Sequence, residues 1–130
     1  MAGLLIGIGT DLFRISRIAP QSVAEGDPFL MRAYTEAERA EADGRAVPIF
    51  HYAACFAGKE AVYKAISGCG VEFCPGEIEI TEDGDGRPAA RLLGKTKERF
   101  EEKFGCRYAL FVSLSYETEF AAAFAAAETL

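Results

Sequence analysis

Four charged side chains stand out by type and spacing: Asp11 in GIGTDL, and Lys59, Glu60 and Lys64 in FAGKEAVYKAI. The four-residue step from Glu60 to Lys64 stacks a carboxylate beside an ammonium one turn apart on a helix. Taken alone, such a pair reads as a solvated surface contact that stabilises a helix by about 0.2 to 0.5 kcal/mol. Asp11 follows Thr10, an N-cap residue type, and a carboxylate in a first turn complements the helix dipole. GIG also carries the start of a dinucleotide loop, but its third glycine is missing and the motif is discarded. Arg14 and Arg17 lie three apart beside Phe13, a small basic face that is either solvated or suited to docking an acidic protein. Cys55, Cys69, Cys74 and Cys106 show no CxxC spacing, and His51 is the sole histidine, so a zinc site is not expected and reduced thiols are.

These residues need elements to hold them. Residues 48–70 carry the longest helical pattern, with Ile49, Tyr52, Ala53, Phe56, Ala57, Ala61, Val62, Ala65 and Ile66 recurring at three- and four-residue intervals and Lys59, Glu60 and Lys64 opposite them. Residues 4–9 read as a short buried strand whose two glycines mark a close backbone approach, and Thr10 would then open a helix. Residues 21–28 read as a loop, followed by a short helix FLMRAY. Thr35 and Glu38 form a capping box for another helix that Gly44 stops. Residues 67–76 are loop chemistry. Residues 77–81 and 87–93 make a hairpin around EDGDG, residues 94–105 a polar helix, and residues 108–116 and 119–127 two further strands. The expected fold is α+β, an antiparallel sheet packed on one long central helix, with residues 1–130 forming a single domain.

Composition narrows the function classes. The chain has 130 residues, half of them apolar and 12% aromatic, enough to bury a core without staples. A net charge of -6 argues against general nucleic-acid binding, since phosphate contacts need a broad basic surface. The opening MAGLLIGIGTD lacks the basic region and length of a signal peptide, and no apolar run reaches the roughly 18 residues of a membrane helix. A cytoplasmic protein with no membrane segment is expected.

Separate stretches agree with one family. GIGTDLFRISRI, the F-x-x-R-x-x-T-x-x-E spacing of Phe29, Arg32, Thr35 and Glu38, FAGKEAVYKAI, the Gly86-Arg87-Pro88 hairpin tip and VSLSYETEFAAAFA occur in order. Together they resemble the holo-acyl-carrier-protein synthase group of 4'-phosphopantetheinyl transferases over nearly the whole length. The resemblance implies transfer of 4'-phosphopantetheine from coenzyme A to a serine of apo acyl carrier protein, in lipid (fatty-acid) biosynthesis, with release of adenosine 3',5'-bisphosphate. It implies Mg²⁺ held by Asp11 and Glu60, with coenzyme A phosphates completing the shell. Glu60 would take the serine proton and Lys64 would steady the leaving phosphate. Gly86, Arg87, Pro88, Ser115 and Tyr116, with Lys64, would bind coenzyme A. Arg14 and Arg17 would steer the acidic carrier protein. A homotrimer with the site between subunits is implied as well.

The chain departs from the family at three positions. It has Tyr116 where members usually carry histidine, Cys55 where they carry arginine, and Arg14 where they carry glutamate. A cysteine has no fork of donors for a phosphate, and a tyrosine is a poorer proton acceptor than a histidine at neutral pH. A divergent relative that binds coenzyme A or a carrier protein without transfer is the alternative reading.

Overall fold

The computed structural model describes residues 3–130. Its elements in chain order are β1 (Leu5–Arg14), α1 (Pro20–Glu25), α2 (Pro28–Ala33), α3 (Glu36–Asp43), α4 (Pro48–Ile66), β2 (Ile78–Glu82), β3 (Pro88–Leu92), α5 (Gly94–Phe104), β4 (Tyr108–Tyr116) and β5 (Phe120–Thr129). Two antiparallel sheets form where one was expected: a three-stranded sheet in the order β1-β5-β4, and the β2-β3 hairpin. The α+β class and the long helix packed on the sheet are as expected.

α4 is the axis of the molecule. Its length and position match the sequence pattern, but it is buried nearly all round and has no single wet face. One side packs on the three-stranded sheet, and the other meets α3 and β2. Enclosure overturns the placement of Lys59 on a polar face: its side chain is 0% exposed. Lys59 Nζ donates to Glu38 Oε1 at 2.7 Å and to the Pro75 and Ile78 carbonyls at 2.8 and 2.7 Å. Glu38 also accepts from Ile80 N at 2.7 Å and from Cys55 Sγ at 3.2 Å. The pair therefore ties α3, α4 and β2 together. The Thr35–Glu38 capping box forms as expected, with Thr35 N donating to Glu38 Oε1 at 2.8 Å.

Small residues let α4 approach the sheet. The inward positions of β5 are Ala121, Ala123, Ala125 and Ala127, all buried. On β1, a Cβ at Gly9 would overlap the Ala61 carbonyl and press on Lys64 Cβ, and one at Gly7 would overlap the Ala65 carbonyl. The two glycines thus mark the close approach that their presence in a strand suggested.

Two local expectations fail. The strand does not stop at Gly9 with Thr10 as an N-cap: β1 runs to Arg14, paired residue by residue with β5 as far as Phe120. Ladder pairing with a complete partner strand outweighs one capping residue. Arg14 is consequently the last residue of a strand and Arg17 ends a one-turn 3₁₀ helix, Ile15–Arg17, so they do not share an α-helix. Residues 21–28 are not all loop, because Pro20 at the first helical position opens α1 and Gly26, at φ 61°, closes it.

Candidate active site

β1 and α4 bring Asp11, Glu60 and Lys64 together. Along β1, Gly9, Asp11 and Phe13 point inward, alternating with exposed Thr10, Leu12 and Arg14. Asp11 therefore faces α4, and its side chain is 10% exposed. Lys64 Nζ donates to the Thr10 carbonyl at 2.8 Å and reaches Asp11 Oδ1 at 3.4 Å, with half of its side chain still exposed. Glu60, one turn earlier, faces the same crossing. Burial pushes its carboxyl up to about 7, the neighbouring Asp11 carboxylate adds to this, and Arg17 and Lys64 oppose it. The surface-pair reading of Glu60 and Lys64 gives way to a cluster centred on Asp11.

Asp11 Oδ2 is buried and has no hydrogen-bond partner among the described residues. A buried acceptor left unpaired is costly, and a cation placed between it and Glu60 would satisfy both carboxylates. Among the described residues no group of three or more His, Cys, Asp or Glu side chains is arranged to hold a metal. The donor set is two carboxylates, which fits Mg²⁺ completed by phosphate oxygens and water, and does not fit structural zinc.

A second set lies on the other side of α4. A cavity of about 270 Å³ lies between α4, the hairpin and the end of β4, and it is lined by Gly86, Pro88 and Tyr116 together with Cys55. Cys55 and Glu60 are five residues apart, about 140° around the helix, so this cavity and the Asp11 crossing face different ways. Arg87 opens onto a neighbouring depression with Pro88 and Ser113, and Ser115 onto a shallow one with Leu12 and Tyr116. Tyr116 is half exposed and its ring lies 5.6 Å from that of Phe50. Cys55 is a buried thiol, pushed well above its ordinary pKa first by burial and then by the Glu38 charge.

Arg14 and Arg17 are exposed, and each lies over an aromatic ring: Arg14 over Phe120 at 4.7 Å and Arg17 over Phe13 at 4.5 Å. Beside Arg17 is a groove lined by Phe13, Ile18, Phe29 and Phe56. The apolar neighbour of the basic patch was legible in the sequence. The Lys59–Glu38 pair was not, because both residues already had local explanations, one as a surface lysine and the other as a capping-box acid. The parts played by Arg45, His51, Glu41 and Glu82 around the cavity also escaped, since they come from segments distant in sequence.

Comparison with known proteins shows the family of the chain. Residues 7–125 match the model of the 4'-phosphopantetheinyl transferase superfamily. The chain belongs to the holo-acyl-carrier-protein synthase family of these transferases. A holo-[acyl-carrier-protein] synthase of Methylobacterium radiotolerans is 37% identical over 130 residues, covering 98% of this chain and 96% of the relative. One of Desulforudis audaxviator is 39% identical over 128 residues, covering 95% and 93%. Among solved structures, an ACPS-CoA complex of Chronobacterium ammoniagenes aligns with a TM-score of 0.79 at 28% identity, covering 100% of this chain and 99% of that one. The protein is therefore an enzyme, a phosphopantetheinyl transferase. No helix among the described residues is long and apolar enough to cross a membrane.

Proposed function

We propose that this transferase moves 4'-phosphopantetheine from coenzyme A to a serine of an apo acyl carrier protein in lipid biosynthesis, with Mg²⁺, in the cytoplasm, leaving adenosine 3',5'-bisphosphate. The observation that carries the reading is the convergence of Asp11, Glu60 and Lys64 on one crossing, with Asp11 Oδ2 unpartnered. Two carboxylates and a lysine have no common structural purpose there, and they match the needs of phosphoryl transfer. Asp11 and Glu60 would hold Mg²⁺, which when bound neutralises charge on the phosphates of the nucleotide. Glu60, directly or through a water, takes the proton of the attacking serine. The serine oxygen forms a bond to the β-phosphorus, and the bond from that phosphorus to the bridging oxygen breaks. Lys64, tethered to the Thr10 carbonyl but half exposed, steadies the leaving phosphate as a point charge.

The nucleotide end of coenzyme A is assigned to Gly86, Pro88 and Tyr116, with Arg87 and Ser115 at the margins. Since these residues face away from the Asp11 crossing, a complete site takes its two halves from adjacent copies. A homotrimer supplies that arrangement. The outer face of the three-stranded sheet, with Ile8, Leu12, Phe111 and Phe124 each at least half exposed, is the apolar surface on which copies would meet. The acidic carrier protein docks on Arg14 and Arg17, with an apolar side chain seated in the groove of Phe13, Phe29 and Phe56.

The test is mass spectrometry of an apo acyl carrier protein incubated with this protein, coenzyme A and Mg²⁺, beside Glu60→Ala. A phosphopantetheine-sized mass gain that the variant lacks supports the mechanism. Equal gain with Glu60→Ala, or none with several carrier proteins, refutes it. Light scattering checks the trimer.

A further inference from the structure

The cavity assigned to the nucleotide has a charge pattern unlike that of a phosphate site. Among its described lining residues, Arg45 is the one arginine or lysine. Its guanidinium is already engaged by the Glu82 carboxylate. The Glu82 amide in turn donates to Glu41, at 3.1 and 3.2 Å from the two carboxyl oxygens, so a second acid sits at the same wall. His51 is held below its ordinary pKa, first by burial and then by Arg45, which keeps it neutral at pH 7. Cys55 lines the cavity but directs its thiol proton to Glu38, so it brings no positive charge there. The opposite wall is Leu114 and Tyr116, the latter backed by Phe50.

A phosphate monoester near pH 7 carries about 1.5 to 2 negative charges and needs free guanidinium, ammonium or backbone N–H donors. Here it would meet two carboxyls and one arginine that is already paired. An uncharged, flat group suits the aromatic wall.

We infer that this cavity receives the uncharged nucleoside portion of coenzyme A and does not read its ribose 3'-phosphate, so that the transferase uses coenzyme A and its analogue lacking that phosphate about equally. The inference rests on the assignment of the nucleotide to Gly86, Pro88 and Tyr116. Glu82 then acts as a specificity determinant, because it neutralises the one arginine or lysine in the lining of this cavity.

The experiment compares kcat/KM for coenzyme A and 3'-dephospho-coenzyme A, by mass spectrometry of the carrier protein, and measures the binding of both nucleotides by calorimetry. The expected kcat/KM ratio is within about threefold of one, since neither attraction nor repulsion beyond an exposed ion pair is at stake. Glu82→Gln, a half-exposed position that the fold tolerates, releases Arg45 and is expected to move the ratio toward coenzyme A by about fivefold. A preference for coenzyme A above about twentyfold in the parent protein overturns the inference, because it shows that Arg87 or an adjacent copy holds the phosphate. A ratio unmoved by Glu82→Gln overturns the role of Glu82. If neither nucleotide supports transfer, the transferase mechanism fails, and the two dissociation constants still decide the inference: near-equal values sustain it, unequal values or no binding sink it.

Discussion

Replacing Lys59 by methionine tests how this fold holds its active-site helix. Lys59 is completely buried and spends all three of its protons, on Glu38 Oε1 and on the Pro75 and Ile78 carbonyls. Methionine has nearly the same shape but no charge, so the substitution leaves Glu38 as a buried carboxylate without a counter-ion and two carbonyls without a donor. Removing one partner of a buried pair costs about 3 to 5 kcal/mol. That is a large share of the 5 to 15 kcal/mol typical of a domain. With an unfolding entropy of about 2.1 cal/mol/K per residue over 130 residues, or about 0.27 kcal/mol/K, a loss of about 4 kcal/mol lowers Tm by about 15 °C. Differential scanning calorimetry measures this directly. The double variant Lys59→Met with Glu38→Gln removes both charges and is expected to regain at least about 1.5 kcal/mol relative to the sum of the single losses. A single-variant Tm within about 4 °C of the parent, or strictly additive losses, would refute the view that this pair is a charge-compensated clamp.

Three further outcomes are expected. Gly9→Ala forces β1 away from the Ala61 carbonyl and so separates Asp11 from Glu60, costing about 1 to 3 kcal/mol in denaturant titrations and at least about tenfold in kcat/KM. Without metal, the raised Glu60 carboxyl contributes stability below its ordinary value of 4.5 that is lost as the pH rises through about 7. Glu60→Gln in chelator should therefore be more stable than the parent at pH 8, by about 1 kcal/mol once solvent screening is allowed for, and show no gain at pH 5. Glu77 caps α5, accepting from Thr96 Oγ1 at 2.7 Å and from the amides of Lys95 and Thr96, and its pKa is lowered first by the Thr96 side chain. Its contribution is present above the unfolded value near 4.5 and is lost on further acidification. Glu77→Ala should cost about 1 kcal/mol at pH 7 in urea titration and converge with the parent at low pH.

Much of this molecule was legible because local signals and tertiary structure agree. The three- and four-residue spacing placed α4, the Thr35–Glu38 box placed α3, and the DG turn with alternating residues placed the β2-β3 hairpin. The alanine-rich β5, a helix by intrinsic propensity, is a strand because β1 and β4 both pair with it. What was lost lay in long-range partnerships. Thr10 looked like a cap only while β5 was out of view, and Lys59 looked wet only while α3 and β2 were. The motif residues Asp11, Glu60 and Lys64 meet as expected. Gly86, Pro88 and Tyr116 do share a cavity, but on the far side of α4, an orientation that depends on how the hairpin docks and that no spacing along the chain encodes.

The methyl-lined floor of the sheet has a mechanical consequence. Where a helix rests on leucines or phenylalanines, its height can drift as rotamers hop and neighbouring packing relaxes. Beside the Asp11–Glu60 crossing α4 rests on Gly7, Gly9 and the inward alanines of β5, which have no rotamers to exchange, while Phe13 and Leu114 pack on it further along. The gap between the Asp11 strand and the Glu60 helix is thus a hard stop between main chains. Substitutions in the outer shell of the protein can repack without changing the gauge of the crossing, and heating should loosen the β2-β3 hairpin before it widens the distance across which the two acids face each other.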